Sequence, residues 1–474
     1  MKRTLVLIIL LVPLCACIGD GNDSAPSISD RYPTEDELYL TPYEEVSFFI
    51  EASDPDGDYE EIRWYVDDEF IQYGNDFTYS FEDEKEYEIR AVVDDGKFNT
   101  ASVWKAEVEI DIEQIMEEIS SLRGLEFTGN VPFRRISRED LNTMLEEEFA
   151  SMEDGLLIDE KVMRAFYVWN GDSLADEVLL LYSTGVEGYY DMVEKEFVLV
   201  DEDSKNPAVR MVTLAHELVH VLQDQYYDTA SMLDTLNDDE YIALTSLFEG
   251  EATYFESYYL YGMDEDAITD YFLYYNSIQD IQVEPIISDL VMFPYLEGFN
   301  FILEIIADNG IGYLDTVYNN PPETTEQIMH PEKYYSGELG VEVGAIEVEG
   351  MELIDENVLG ESNIYIFLDQ YLGTQDAEAG ADGWNGDIYS YYERDEDHLL
   401  IFRSMWDDDQ NAEEFMEMYT SFLQATPAGP FTIIEDTPER CIMESESGTV
   451  AITLDSNEVV VLSSNDADIV MELL

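Results

Sequence analysis

Residues 213–225 read TLAHELVHVLQDQ, and this stretch decides the fold of the larger part of the chain. Asn206 and Pro207 precede it as an N-cap and first-turn pair, so the whole stretch is predicted to lie in one helix. His216 and His220 are four residues apart and therefore lie one above the other on one helix face. Two imidazoles placed in this way can both reach one zinc ion at about 2.1 Å.

Glu217 follows the first histidine and lies one position further round the helix. Its carboxylate can reach a water bound to a metal held by the two histidines, rather than the metal itself. The HExxH pattern of metalloproteases uses its glutamate in this way, as the general base. The chain has only 4 His, and two of them fall in this motif, which makes the motif a specific signal. The competing interpretation is a pair of helix histidines that bind no metal.

A catalytic zinc site needs a third protein ligand and a fourth position for water. Residues 241–255 read YIALTSLFEGEATYF, which predicts a second, largely apolar helix containing Glu249 and Glu251. A carboxylate inside a buried helix is costly unless it is paired or bound to a metal. The two glutamates point about 200° apart around the helix, so they cannot both face one metal. Helical geometry alone leaves both candidates open.

These motifs resemble those of gluzincin-type zinc metallopeptidases, in a group of predicted archaeal and bacterial proteases with an HELxHxLQDQ…EGEA pattern. The third ligand of gluzincins lies in a downstream helix within a Glu-Gly-x-Ala stretch, and residues 249–252 read EGEA. The resemblance therefore implies a zincin-like fold and Zn²⁺ as the cofactor. It also implies that His216, His220 and Glu249 are the metal ligands and that Glu217 is a catalytic residue.

Neighbouring positions in the two predicted helices leave further questions. Glu251 is interpreted as a solvated or capping carboxylate. Asp224 lies four residues past His220 and is expected either to orient that imidazole or to be an exposed helix carboxylate. Thermolysin-like sequences have an Asp four residues after the third ligand, whereas this chain has Thr253. This departure keeps open an alternative function, a non-catalytic surface-binding lipoprotein with a structural or vestigial zinc site.

The resemblance extends more weakly to residues 327–334, QIMHPEKY, which are similar to a segment downstream of the zinc motif in those predicted proteases. A zinc peptidase needs a donor for the oxyanion that develops during peptide hydrolysis. His330 is the first choice for this catalytic role, with Tyr334 and Tyr295 as rivals. The competing interpretation of His330 is a structural histidine that hydrogen-bonds the backbone.

The N-terminus has the layout of a secretory signal. Lys2 and Arg3 precede an apolar run over residues 5–18, which is shorter than the roughly 20 residues of a transmembrane helix. The run ends in a stretch that resembles a lipobox. This predicts a lipoprotein signal peptide over 1–16, lipid on Cys17 and a flexible tether over 17–27, with an uncleaved membrane anchor as the alternative. The protein is expected to be lipid-anchored at the extracellular face of the cell membrane.

Short alternating segments with turn signals between them predict a β-sandwich over 28–111. SDPDGD at 53–58 and DDG at 94–96 resemble turns of PKD or related immunoglobulin-like modules of extracellular proteins. Within the first turn, oxygen ligands for Ca²⁺ could come from Asp54, Asp56 and Asp58. The competing interpretation is an acidic hairpin turn.

Helical periodicity dominates from residue 112, and short alternating runs return over 432–474. The predicted fold class is therefore α+β, with an N-terminal β-sandwich (PKD/Ig-like) followed by a mainly helical zincin-like metallopeptidase domain over 112–474. A β-rich C-terminal element closes that domain. The predicted function is a membrane-anchored extracellular zinc metallopeptidase that hydrolyses a peptide or protein substrate.

The net charge of the chain limits the classes of molecule that it is expected to bind. With Lys+Arg 21 and Asp+Glu 108 among 474 residues, the formal net charge is −87. Such a surface repels phosphate backbones, which argues against nucleic acid as a partner. The acid is spread along the chain rather than gathered in a tail, and salt screens the resulting self-repulsion. We interpret the composition mainly as adaptation to high salt, typical of a halophilic acidic proteome, and secondarily as dense calcium binding.

Overall fold

The computed structural model describes residues 24–55, 57, 61–129, 131–201, 206–233, 235–278, 283–428 and 431–474. The predicted signal peptide over 1–16 and the lipid-bearing Cys17 lie outside the described residues, as do Asp56 and Asp58 of the predicted calcium site. The chain divides into two compact units, one ending at Ile110 and the other running from Asp111 to Leu474.

The described part of the first unit is made of strands. These are β1 (Ser27–Tyr32), β2 (Glu37–Leu40), β3 (Glu44–Ser53), β4 (Glu61–Val66), β5 (Glu69–Tyr73), β6 (Asp76–Phe81), β7 (Glu86–Asp94) and β8 (Asn99–Val108). They form a three-stranded sheet of order β1-β3-β6 and a five-stranded sheet of order β2-β8-β7-β4-β5. The pairs are antiparallel apart from β2 and β8, which run parallel.

Alternating side chains of the two sheets meet in one aromatic core. Trp64 of β4 and Trp104 of β8 stack with ring centroids 5.7 Å apart, and Phe48 of β3 packs edge-on against Trp104 at 5.4 Å. Such aromatic pairs contribute about 0.5–1.5 kcal/mol each beyond their buried area. At the rim, the Asp54 carboxylate accepts a hydrogen bond from the Gly57 N–H at 3.1 Å, as an acidic turn does. Calcium binding here stays a prediction.

The second unit begins with helices and one small sheet. Its described elements up to residue 336 are α1 (Ile112–Arg123), β9 (Phe133–Ser137), α2 (Arg138–Ala165), α3 (Leu174–Gly185), β10 (Gly188–Asp191), β11 (Glu196–Asp201), α4 (Pro207–Tyr227), α5 (Thr229–Met232), α6 (Asp238–Gly262), α7 (Glu265–Ile278), α8 (Pro285–Asn309), a 3₁₀ turn (Ile311–Tyr313), α9 (Leu314–Asn319), α10 (Thr325–Met329) and α11 (Pro331–Ser336). The small sheet has the order β10-β11-β9.

A larger sheet and further helices complete the second unit. They are β12 (Glu352–Asn357), α12 (Gly360–Leu372), α13 (Thr374–Ala381), β13 (Trp384–Arg394), β14 (Asp397–Trp406), α14 (Asp409–Ala425), β15 (Thr432–Thr437), β16 (Arg440–Ser445), β17 (Gly448–Asp455), β18 (Glu458–Ser464) and α15 (Ala467–Leu473). The sheet is antiparallel with order β12-β13-β14-β18-β17-β16-β15. The predicted α+β class, with a β N-terminal region, a helical middle and a β-rich C-terminus, is confirmed.

Local sequence explains why the two central helices form where they do. Asn206 caps α4 by accepting a hydrogen bond from the Ala208 N–H at 2.8 Å, and Pro207 occupies the first turn. Asn237 and Glu240 form a capping box at the start of α6, with each side chain bonded to the other residue's N–H. Both helices therefore have fixed starting points, which sets the direction in which their side chains project.

Helix α8 packs tightly against α6 through two glycines. A Cβ atom at Gly250 of α6 would overlap the backbone of Gly298, and a Cβ at Gly298 would overlap the Ser246 carbonyl. Among the described residues, α8 is also long and apolar enough to cross a membrane by length and composition alone, with a mean hydropathy of 1.5. The core helix of a soluble protein can pass the same test, and 28% of the apolar stretch of α8 is buried within the structure.

Candidate metal centre

The two motif histidines of α4 meet one carboxylate of α6. Nε2 of His216 lies 3.2 Å, and Nε2 of His220 lies 3.4 Å, from Oε2 of Glu249. The two Nε2 atoms are 3.1 Å apart. Donors at the corners of a tetrahedron around zinc, each about 2.0–2.1 Å from the metal, are separated by about 3.3 Å. The three observed separations match that spacing, so these residues could hold a metal ion.

Burial and mutual contact set the charges of this group. Burial lowers the pKa of His216, but hydrogen bonds with Glu249 and Glu256 outweigh it and hold that pKa well above its ordinary value. The pKa of His220 is also raised, because Glu249 outweighs the effect of burial. Burial raises the pKa of Glu249, yet the two imidazoles lower it by more. The group thus favours positive charge beside an ionised carboxylate, and metal binding must compete with protons.

Hydrogen bonds on the far side of each imidazole fix its orientation. Nδ1 of His216 donates to Glu256 Oε2 at 2.9 Å, and Glu256 Oε1 accepts from the Tyr271 hydroxyl at 2.9 Å. Nδ1 of His220 donates to Gln223 Oε1 at 2.8 Å. Because each Nδ1 keeps the donated proton, the proton that an imidazole would give up to bind a metal is the one on Nε2, which is the arrangement that metal-binding histidines use.

Glu251 lies on the opposite side of α6 and does not fit its sequence interpretation. It is only 1% exposed, and it pairs with the buried Arg123 of α1 and with the Tyr318 hydroxyl. Its Oε2 also accepts from Gln223 Nε2 at 3.0 Å. The expectation of a solvated or capping carboxylate is therefore wrong, because α1 and α9 cover this side of the helix. Through Gln223, Glu251 supports the orientation of His220.

Asp224 does not orient His220. Its carboxylate accepts from the Tyr190 hydroxyl at 2.8 Å and from Lys195 Nζ at 2.5 Å. Gln223, one position earlier, makes the contact with the imidazole instead. The reason is helical geometry, since a residue three positions after His220 reaches its Nδ1 while the next one turns toward β10.

Glu217 is buried beside the group, with an exposed fraction of 7%. Burial is the largest influence on its carboxyl and raises the pKa, whereas the positive charges of His220 and His216 lower it. A hydrogen bond with the Tyr190 backbone also lowers it. A carboxylate with a raised pKa next to a metal site is suited to accept and return a proton.

The three candidate oxyanion donors lie in different surroundings. The Tyr295 ring of α8 stacks on the His216 ring, with centroids 6.1 Å apart, and the nearby charge of Glu249 raises the pKa of the Tyr295 hydroxyl well above its ordinary value. The Tyr334 hydroxyl instead donates to the Asn320 carbonyl at 2.8 Å. Of the three, Tyr295 is the one that contacts the predicted ligands.

His330, the first choice from sequence, belongs to another group of residues. Its Nε2 donates to Glu361 Oε1 at 2.9 Å, and this hydrogen bond raises the pKa of His330 to about 9. Its position between α10 and α11 explains this, because α10 packs against α12, which carries Glu361. The structure therefore brings together His216, His220, Glu217 and Glu249, but joins His330 to different carboxylates.

Gln223 and Glu256 are the site residues that sequence reasoning missed. Both follow from helical spacing, since Gln223 lies three residues after His220 and Glu256 lies seven residues, or about two turns, after Glu249. Glu256, rather than the residue at position 253, supplies a carboxylate beside His216. The Thr253 hydroxyl is buried without a hydrogen-bond partner among the described residues.

Comparisons with known proteins found matches to parts of the chain. Residues 349–474 match a family model described as "Domain of unknown function (DUF8575)". No curated protein matches the chain. Among solved structures, fibronectin(III)-like modules of Clostridium thermocellum CbhA match with 21% identity and a TM-score of 0.16. That match covers 18% of this chain and 46% of the other chain. These similarities name no chemistry for the histidine group.

Proposed function

We propose that residues 112–474 form a zinc metallopeptidase with a zincin-like active site on α4 and α6. The single observation that carries this proposal is the trio of donor separations among His216, His220 and Glu249, which match the edges of a zinc tetrahedron. Within the described part of the chain the trio has three protein donors, as catalytic zinc sites do, whereas structural sites have four.

The chain's own residues would divide the work of peptide hydrolysis. Bound zinc supplies Lewis-acid chemistry that lowers the pKa of a coordinated water to about 7. Glu217 takes the proton from the attacking water and passes it to the leaving amine. The hydroxyl of Tyr295, whose ring stacks on His216, would donate to the oxyanion developing on the substrate carbonyl. Glu256 and Gln223 hold the two imidazoles in place throughout.

The setting of this enzyme is part of the proposal. The first unit would be a PKD- or immunoglobulin-like spacer, and lipid on Cys17 would anchor the protein at the extracellular face of the membrane. The substrates would be peptides or proteins in the surrounding medium. The negative charge of the chain disfavours acidic substrates at low salt, and salt screening weakens this preference.

Glu217→Gln tests the proposed reaction directly. We expect cleavage of an unfolded protein mixture, followed by mass spectrometry of new termini, to fall by about 10²–10⁴-fold because the general base is lost. Zinc content should equal that of the wild type. Glu304→Gln, the same chemical change at an exposed position of α8, should leave both unchanged. Absence of cleavage by the zinc-loaded wild type over a wide substrate range would support the non-catalytic binding lipoprotein instead.

A further inference from the structure

A second histidine-carboxylate group lies elsewhere in the second unit. His330 between α10 and α11, Glu361 of α12 and Asp382 at the end of α13 each offer a donor atom, and these atoms lie within 4.8 Å of one another. Three separate elements thus converge on one point. Their convergence is a product of the tertiary fold, since no local sequence motif links them.

One oxygen of this group has no partner. Glu361 is 1% exposed, and its Oε1 accepts the hydrogen bond from His330, but its Oε2 is buried without a hydrogen-bond partner among the described residues. Buried carboxylate oxygens are normally paired, because losing hydration without compensation is costly. A cation bound beside Glu361 would supply the missing interaction.

The surrounding cavity is negatively charged. It has a volume of about 530 Å³, and His330 and Glu361 line it together with Glu297 of α8 and Glu378 and Asp382 from the α13 region. No Lys or Arg is among its described lining residues. Four carboxylates therefore face one imidazole, and the cavity leaves room for an ion and its remaining water ligands.

A neighbouring acidic group shows how the fold satisfies such a cluster with an amine. Glu326, Glu338 and Asp407 surround Lys333 Nζ, which lies 3.1 Å from Glu338 and 3.0 Å from Asp407 and also pairs with Glu326. That group already has its own positive charge. The group around Glu361 contains an imidazole in place of an amine, and an imidazole can serve as a metal ligand.

Helix α8 separates this cavity from the motif histidines. Phe293 and Glu297, one turn apart, line the cavity, whereas Tyr295 between them stacks on His216. Residues two apart point about 200° away from each other around a helix. The two histidine groups therefore lie on opposite sides of α8 and can be altered independently.

We propose that His330, Glu361 and Asp382 bind a second divalent transition-metal ion of the zinc class. One imidazole nitrogen with two carboxylates suits such ions, whereas calcium and magnesium prefer sites made of oxygen ligands alone. The three protein ligands leave coordination positions that open into the cavity. This site does not depend on the proposed peptidase activity.

Zinc stoichiometry of the full chain tests this proposal. Protein loaded with Zn²⁺ is dialysed against high salt with excess Ca²⁺, which displaces zinc from surface carboxylates, and the metal is then counted by mass spectrometry. We expect two zinc ions per wild-type chain and one in Asp382→Asn and in Glu361→Gln. Glu378→Gln, which removes a carboxylate from the same cavity but outside the three ligands, should retain two.

Two further variants keep the outcome decisive. His216→Ala should retain one zinc, and combining it with Asp382→Asn should leave none. The second site would be overturned if the wild type bound one zinc ion and His216→Ala removed it. It would also be overturned if Asp382→Asn retained two zinc ions. Loss of zinc in Asp382→Asn but not in His216→Ala would support the second site and count against the proposed function. Asp382→Asn carries the test even if Glu361→Gln fails to fold, because Asp382 is exposed at a helix end.

Discussion

The two sides of α6 put chemically identical residues to different uses. Glu249 faces α4, has a side chain 22% exposed and contacts two imidazoles. Glu251, two positions later, is 1% exposed and neutralised by Arg123. Both carboxylates lie next to positive groups, but only the first has donors spaced for a metal. The difference teaches that the neighbours on other helices, rather than the glutamate itself, decide whether a carboxylate is spaced like a metal ligand or forms a structural ion pair.

Glu249→Gln should have the largest effect on this comparison. The neutral amide removes the charged ligand, so zinc at this site and peptide cleavage should both be lost, exceeding the 10–100-fold loss of metal affinity typical of an outer hydrogen-bonding residue. Zinc counting and cleavage assays measure this. The circular dichroism spectrum should stay native. Normal zinc content in a folded variant would remove Glu249 from the ligand set.

Glu251→Gln should instead act on folding. It removes the buried counter-charge of the Arg123 guanidinium, whose side chain is 3% exposed, and leaves only the half-exposed Asp315 at 3.0 Å. Breaking a buried pair costs about 3–5 kcal/mol. Urea unfolding at constant zinc concentration measures this loss in the free energy of unfolding. A paired Arg123→Met and Glu251→Met variant should recover part of the stability, since no unpaired charge remains. A single variant as stable as the wild type would contradict the structural role.

Tyr295→Phe separates transition-state stabilisation from metal binding on the Glu249 side. Loss of one oxyanion donor typically lowers kcat by about 10²–10³-fold. We expect that fall with little change in KM or zinc content, measured by steady-state cleavage kinetics. Tyr334→Phe is the matched control, because its hydroxyl bonds the Asn320 carbonyl instead. Equal kinetics for the two variants would exclude Tyr295 as the donor.

Glu256→Ala should give the smallest effect. It removes the acceptor of the His216 Nδ1–H, and such outer hydrogen bonds contribute about 10–100-fold to metal affinity. Competition with a chromogenic zinc chelator measures the change. Glu265→Ala, at an exposed position of α7, is the control. If the two variants bind zinc equally well, Glu256 does not contribute to metal binding.

The site could be predicted from sequence only as far as its parts were local. The spacing of one helical turn predicted that His216 and His220 lie on the same helix face. A short motif on the next long helix predicted Glu249 as their partner. Glu251 illustrates the limit, since its partner Arg123 is 128 residues away and the sequence around neither residue predicts that they form a pair. His330 shows the same limit, because its role depends on α12 packing against α10.

The fold shows a similar division. The capping signals at Asn206 and Asn237 set the starts of α4 and α6, and alternation identified the β-rich ends of the chain. The order of the seven-stranded sheet was beyond reach, because β18 inserts between β14 and β17 and its pairing partners lie as far away as Leu399. Strand order depends on how whole elements pack against one another, and the local periodicity of the sequence does not predict it.

The contact between Gly250 and Gly298 gives the EGEA motif a second meaning. Its glycine contributes no donor atom, yet it sets the spacing at which α8 can lie along α6. A methyl group at that position would push the two helices apart and move the Tyr295 hydroxyl away with α8. The donor atoms of His216, His220 and Glu249 would all still be present. The glycine of the motif therefore sets the distance between α6 and α8, while its first glutamate is the candidate ligand.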